Sequence, residues 1–455
     1  MRKIILVIFF FILGHSSLWA QEKLYYAAPT LLPNTTREMK TAGFWISRHP
    51  DPDRIILSSS EIIKFNERLE SPLNLNKDIL KTSSVVSGDD LKKTLEGWIG
   101  DFKGKNFYHH DGTKADDDYY ESIKIRMNLG AISKEIAPQF GLIVRFADQR
   151  FFPAAEPLYR NLGDYDFDEL QNSDLDIATA VVILHQSLDK NWYFVQSSIS
   201  EGWVQKETVA VTTRDELKKF ASKLPFAVVV NPKADIYLDK ELTHYHDYAR
   251  MGAKFPMHGK SALDKIGILL PVRTSEGALA LKSAHLRKED AHAGYFSFTA
   301  RNIIDQAFKL LNAPYGWGGM RGEQDCSRFL HQVFDTVGIN LPRNSKEQIQ
   351  SGHLLGEFFN DTTDEQKLLL MKKEAVGGIT FFGIRGHIML FLGTVEENPF
   401  VIHATWGYRE KQGSEEVTRV INRVCVSDLS LGKNSSRGSL LQRINKIMTF
   451  SHLQQ

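Results

Sequence analysis

The sequence predicts a multidomain chain of 455 residues: a mainly helical N-terminal segment, two small β-barrels and a C-terminal α+β domain. Three observations carry that reading. Apolar residues recur at helical spacing in residues 61–66 and 91–99. From about residue 140 to 290, short β-branched and aromatic runs bounded by turn residues take over. After residue 296 a helix, a glycine-rich turn, a second helix and later strands follow one another, as in an α+β domain.

Arg2 and Lys3 precede an apolar run at residues 4–13, and small and polar residues then lead to Ala20. This reads as a secretory signal over residues 1–20, too short to span a bilayer comfortably. No cysteine lies near the junction, so lipid attachment is not expected. The mature chain is expected in the periplasm or outside the cell, without stable membrane insertion after cleavage.

Residues 21–139 form the helical segment, with Ser60 before Glu61 as the candidate cap. Tyr108, His109, His110 and Asp111, and the run Asp116, Asp117 and Asp118, read as solvated polar loops because metal-ligand spacing is missing. The first barrel, 140–214, draws on runs at 142–146, 180–185, 192–195 and 202–204, with a tight connection at 187–192. The second, 215–294, draws on 226–230, 236–238, 254–257 and 267–272, and residues 215–224 could bridge the two as a helix. In the final domain, 295–455, Ile303, Ile304, Ala307, Phe308 and Leu311 share one helical face, with Thr299 as the candidate cap.

Composition sets bounds. Hydrophobic content of 42% and charged content of 24% are ordinary for a globular protein. A net charge of +1 argues against a nucleic-acid partner. The two cysteines, Cys326 and Cys425, could pair. Cys425 alternates within a strand-like run and reads better as a buried free thiol.

The chemistry gathers around Cys326. Pro314, Tyr315, Gly316, Trp317, Gly318 and Gly319 form a glycine-rich turn, followed by Asp325, Cys326 and Ser327. Phe329, Leu330, Val333, Phe334 and Val337 make the buried stripe of a helix that starts at Cys326, so the thiol meets unpaired N–H groups that favour a thiolate. His387 opens a strand after Gly386, and His403 ends the run 400–403. A turn near Glu396 would pair these strands and bring the rings within reach. Thiol, base and orienting ring then make a nucleophilic triad with histidine in place of the usual carboxylate. No cofactor and no metal is required.

These residues resemble the NlpC/P60 cysteine peptidases. The 314–319 turn, Asp325-Cys326-Ser327, the stretch Leu341-Pro342-Arg343-Asn344-Ser345, Gly386-His387 and Ile402-His403-Ala404 follow that family's order over about 300–410. Gly43, Phe44, Trp45 and Arg48 are similar to the N-terminal stabilising segment of its multidomain members, and the barrels to their bacterial SH3-type domains. The resemblance implies a papain-like domain that cleaves the γ-D-glutamyl bond to the diamino acid of peptidoglycan stem peptides. Its free thiol-peptidase partners would be muropeptides or stem peptides with a free N-terminal L-Ala. By resemblance Cys326 is nucleophile, His387 base and His403 the orienting residue, while Tyr315, Asp325, Ser327, Asn344 and Ser345 line the substrate site. Arg328 departs from the small residue usual there, and Asn344 from a common aspartate. Glu156 and Tyr159 fall in the barrel that could wall the cleft, but read better as an ordinary surface loop. Two other readings remain: a peptidoglycan-binding protein with a degenerate peptidase domain, and a zinc amidase using His244 and His246 or His109 and His110.

Overall fold

In the computed structural model, which describes residues 25–259 and 263–450, a seven-stranded sheet organises the C-terminal half. The signal segment expected at 1–20 lies outside the described residues. In spatial order the strands are Tyr25–Ala27, Glu415–Asp428, Asn398–Gln412, His387–Val395, Thr380–Ile384, Lys446–Thr449 and His353–Glu357. Alternation along the central strands sends residues to two cores. Phe381, Ile388, Leu390 and Ile402 join one; Phe382, Met389, Phe391 and Val401 join the other. The first core is covered by the helices Ala300–Lys309 and Cys326–Asp335. Thr299 caps the earlier helix, its hydroxyl accepting from Asn302 N–H at 3.2 Å.

The N-terminal segment does not behave as one unit. Its first strand, Tyr25–Ala27, pairs in parallel with Glu415–Asp428 at the edge of the C-terminal sheet. Trp45, Leu57, Phe65 and Leu69 are buried in the same core as Phe298, Phe329 and Phe450. The helices Gly88–Lys103 and Asp117–Met127 instead bury Leu95, Ile99, Ile123 and Met127 against Phe152, Phe194 and Trp203 of the following β module. Apolar spacing marks a buried face without naming its partner, so the sequence grouped what the fold divides. One local expectation changes. Ser58, not Ser60, caps the helix Ser59–Glu70, exchanging hydrogen bonds with Glu61 in a capping box. Asp116 is exposed, and its carboxylate accepts from Tyr119 N–H at 2.9 Å to cap the helix Asp117–Met127.

Residues 139–212 form a second seven-stranded sheet in the order Val209–Thr212, Gln139–Ile143, Ala180–Gln186, Trp192–Gln196, Glu201–Gln205, Ala147–Arg150 and Gln171–Leu175. Residues 151–170, between its last two strands in space, leave the sheet and run toward the C-terminal domain. A helix, Arg214–Ala221, follows. The next module has sheets of three and four strands over a shared core that includes Ala227, Ile236, Phe255, Ile268 and Leu286. Among the described residues no helix is long and apolar enough to cross a membrane.

A buried ion cluster locks these parts together. Asp174, on the strand Gln171–Leu175, accepts from Arg250 of the second module and from Arg328 at 3.1 Å. Asp176 accepts from Arg250 at 2.7 Å and also from Arg328. Arg343 reaches Ser173 Oγ at 2.9 Å and Asp325 at 2.8 Å. Arg328 stands where the resembled family has a small residue, and here it carries the Cys326 helix onto both aspartates. The glycine turn serves the same contact. A Cβ on Gly319, whose φ is +82°, would fall 1.8 Å from Asp174 Oδ1. Removing one partner of such a cluster leaves uncompensated buried charge. Asp174→Ala is therefore expected to lower stability by about 3–5 kcal/mol in urea unfolding. A loss under about 1 kcal/mol, the scale of an exposed pair, would contradict that role.

Candidate active site

Cys326 is the first residue of its helix, and Asp325 is the cap, accepting from Arg328 N–H at 2.8 Å. The thiol is 6% exposed, and backbone N–H groups of Ile388 and Ser327 point toward the sulfur. Ile388 follows His387, so the sulfur meets the beginning of the His387–Val395 strand. Leu390 pairs with Ile402 across the hairpin, which sets His387 and His403 diagonally on one face. His387 Nε2 and His403 Nδ1 are 2.7 Å apart. His403 Nε2 lies 3.1 Å from Ser427 Oγ and 3.7 Å from Cys425 Sγ. Cys425 is opposite His403 in the next strand, and both cysteines are free thiols.

A His387 that accepts at Nδ1 carries its hydrogen on Nε2 and donates it to His403 Nδ1. His403 then carries its own hydrogen on Nε2, aimed at Ser427. Burial drives both imidazoles toward the neutral state. His387 is pushed down to about 3, with Arg443 adding to the effect. His403 is held well below the usual histidine range, with His387 as the second cause.

The thiol differs from the expectation. Burial, reinforced by the carboxylate of Asp325, pushes Cys326 up to about 12; the N–H groups of Ile388 and Ser327 and the charge of Arg343 recover only part of this. The helix terminus does not outweigh desolvation. Among the described residues neither imidazole hydrogen-bonds to the sulfur; such bonds often tighten only when substrate is bound.

The other expected site residues divide. Tyr315 lines the cleft beside His387, and burial followed by the charges of Cys326 and Asp325 raises its hydroxyl well above the usual tyrosine value. Asp325 is already paired with Arg343 and Ser327 Oγ. Ser327 is buried and also receives a bond from Arg343 at 3.0 Å. Asn344 sits apart, in a cleft of about 290 Å³ with Asn172 and Glu201. Ser345 opens the short helix Ser345–Gln348. The catalytic-side cleft, about 430 Å³, is bounded by Trp406 and by Asn161, Asp164 and Phe167 of the first β module. Phe167 packs edge-on to Trp317 and Trp406 at 5.4 and 5.2 Å, and Tyr25 meets Trp406 at 5.1 Å. Tyr159 is buried against Tyr165, and Glu156 pairs with His109, so neither forms that boundary.

Sequence reading missed Ser427, Arg343 and the 161–167 wall. Ser427 had one signal, its place two residues beyond Cys425 on the strand that faces His403.

Residues 312–423, which hold Cys326, His387 and His403, match the model of the NlpC/P60 family. The chain carries an NlpC/P60 domain. Residues 157–205 match an SH3 domain of the SH3b1 type, and these include the strands beside the 161–167 wall. A γ-D-glutamyl-L-lysine dipeptidyl-peptidase of Bacillus cereus is 27% identical over 162 residues, 33% of this chain and 44% of that protein. Its Bacillus subtilis namesake is 32% identical over 87 residues, 19% of this chain and 29% of that protein. The matched part is thus less than half the length of either relative. An NlpC/P60 endopeptidase from Photobacterium damselae subsp. piscicida shares the fold at a TM-score of 0.74 and 22% identity, over 94% of this chain and 98% of that one.

The resting thiol of the NlpC/P60 domain should behave as a weak acid. Alkylation of Cys326 by iodoacetamide, followed by mass spectrometry of its peptide, is expected to quicken about tenfold per pH unit from 7 to 10. A rate that levels off near neutrality would contradict the raised value.

Proposed function

We propose that this chain is an exported cysteine endopeptidase hydrolysing the γ-D-glutamyl bond to the diamino acid of peptidoglycan stem peptides. One observation carries the reading: His387, linked through His403 to Ser427, immediately precedes Ile388, whose backbone N–H points at the sulfur of Cys326 at the start of its helix. The names of the two Bacillus relatives support the bond.

In the reaction, His387 Nδ1 takes the Cys326 proton as the sulfur attacks the γ-carbonyl carbon. The backbone N–H of Cys326 offers one donor to the oxyanion. Collapse breaks the C–N bond, and the proton on His387 passes to the leaving amine. Water then attacks the thioester, giving a proton to His387. The γ-carboxyl product leaves, and the proton returns to sulfur. His403 holds the tautomer and Ser427 holds His403; neither needs to ionise. The thiol and imidazole both being neutral at rest suits a proton transfer that accompanies attack.

A preference for stem peptides with a free N-terminal L-Ala draws support from the SH3-type wall at 161–167, which narrows the cleft. Asp325 contributes less to this than its position suggests, because Arg343 already neutralises it. The muropeptide substrate and the signal-like residues 1–20 both favour a periplasmic or secreted site of action.

Purified protein incubated with L-Ala-γ-D-Glu tripeptides is expected to release the dipeptide, read by mass spectrometry. Cys326→Ala and His387→Ala should each lower the rate by about a thousandfold or more. Binding of the peptides without release by the unmodified chain would favour a degenerate, binding-only domain instead. Ser427→Ala should lower kcat by about tenfold while KM changes little, since it acts through His403. An unchanged kcat would remove Ser427 from the line.

A further inference from the structure

Where the two β modules meet the C-terminal domain they enclose a cavity of about 360 Å³, and Cys326, His387 and His403 are not among its lining residues. Its carboxylates are Asp174, Asp176 and Asp335, and each has a partner. Arg250 and Arg328 hold Asp174 and Asp176. Asp335 lies 2.8 Å from His331 Nδ1. The ammonium groups are different. Lys223 and Lys254 both line the cavity, and among the described residues neither Nζ has an ion pair or a hydrogen bond. Lys223 is exposed, just past the helix Arg214–Ala221. Lys254 is part-buried and opens the strand Lys254–Pro256, where it pairs with Val228. That register lays its Nζ over the Phe226 ring, 4.9 Å from the centroid. Burial pulls Lys254 below the ordinary lysine range, with no carboxylate to offset it. An ammonium that loses hydration without gaining an anion is costly.

The rest of the lining suits an anion with two charged ends. The lysines stand on separate elements, so each can meet its own acid group. Phe220 and Pro256 add buried apolar surface, which accommodates a short methylene chain better than a compact inorganic ion. On the C-terminal domain's side, His331 Nε2 is buried without a hydrogen-bond partner. The volume falls within the range of small-molecule sites, about 300–1,000 Å³. His331 and Arg328 belong to the helix that begins at Cys326, so an occupant would touch the element that carries the nucleophile.

We infer that this cavity is a binding site for a short-chain dicarboxylate, held by Lys223 and Lys254 where the modules meet. The inference stands apart from the hydrolase reading. Free dicarboxylates and a peptide ending in glutamate with both carboxylates free share the required chemistry. The test titrates the full chain, by isothermal calorimetry, with glutarate, with L-alanyl-D-glutamate and with inorganic phosphate. At least one of the two dicarboxylates is expected to bind saturably with a Kd below about 1 mM, and the tighter of them names the source. Phosphate should bind at least about tenfold more weakly, as should the dicarboxylate to Lys254→Met. Lys223→Gln, at an exposed position, should also weaken binding severalfold and keeps the test open if Lys254→Met does not fold. No saturable binding, binding that the lysine variants leave unchanged, or phosphate bound as tightly as either dicarboxylate would each overturn the site.

Discussion

The docking of the Cys326 helix on its neighbours depends on the carboxylate of Asp174, buried among guanidiniums from two other parts of the chain. Arg250 approaches from the second β module, and Arg328 and Arg343 from the NlpC/P60 domain. Asp176 and Asp325 complete the charge balance. Burying such groups is costly, and their mutual attraction offsets it only when every partner is in place. The cluster therefore favours one relative placement of the three modules more than it favours folding in general. Gly319 enforces the same placement sterically, since the turn can approach Asp174 only without a side chain. The wall at 161–167 inherits its position from this arrangement, and with it the width of the cleft.

The active site has the opposite electrostatic character. The guanidiniums of Arg250 and Arg343 favour the charged form of Asp174, whereas burial holds neutral the thiol, on the helix that carries Arg328, and the two imidazoles on their strands. Asp325 belongs to both. It caps the helix that presents the sulfur, and its charge, shared with Arg343, is one of the causes that keep the thiol protonated. In the proposed triad, with His403 in the third position, no carboxylate stands behind His387. The line to Ser427 supplies direction to the protons without supplying negative charge.

Much of this was legible before any coordinates. The hairpin that aligns His387 with His403 follows from a turn flanked by two β-rich runs, and the helix at Cys326 from a strong apolar stripe. Both are local signals. The division of the N-terminal segment between two cores was not legible, because Phe65 and Ile99 present similar stripes to different partners. Nor was the role of Arg328, which appeared as a departure from a family pattern and proved to reach 150 residues back to Asp174 and Asp176. The strength of burial at Cys326 was hidden for the same reason. A helix terminus can be read from a dozen residues, while desolvation depends on everything that closes over it.

That burial has a consequence for durability. Peroxide and related oxidants attack thiolates, and an accessible low-pKa cysteine outside a reducing compartment drifts toward sulfenic and then irreversible sulfinic forms. Cys326 is shielded in two ways: its sulfur is covered, and burial keeps its proton on. Cys425, equally buried and directly behind His403, shares the protection. A thiol held this way trades readiness at rest for resistance to oxidants.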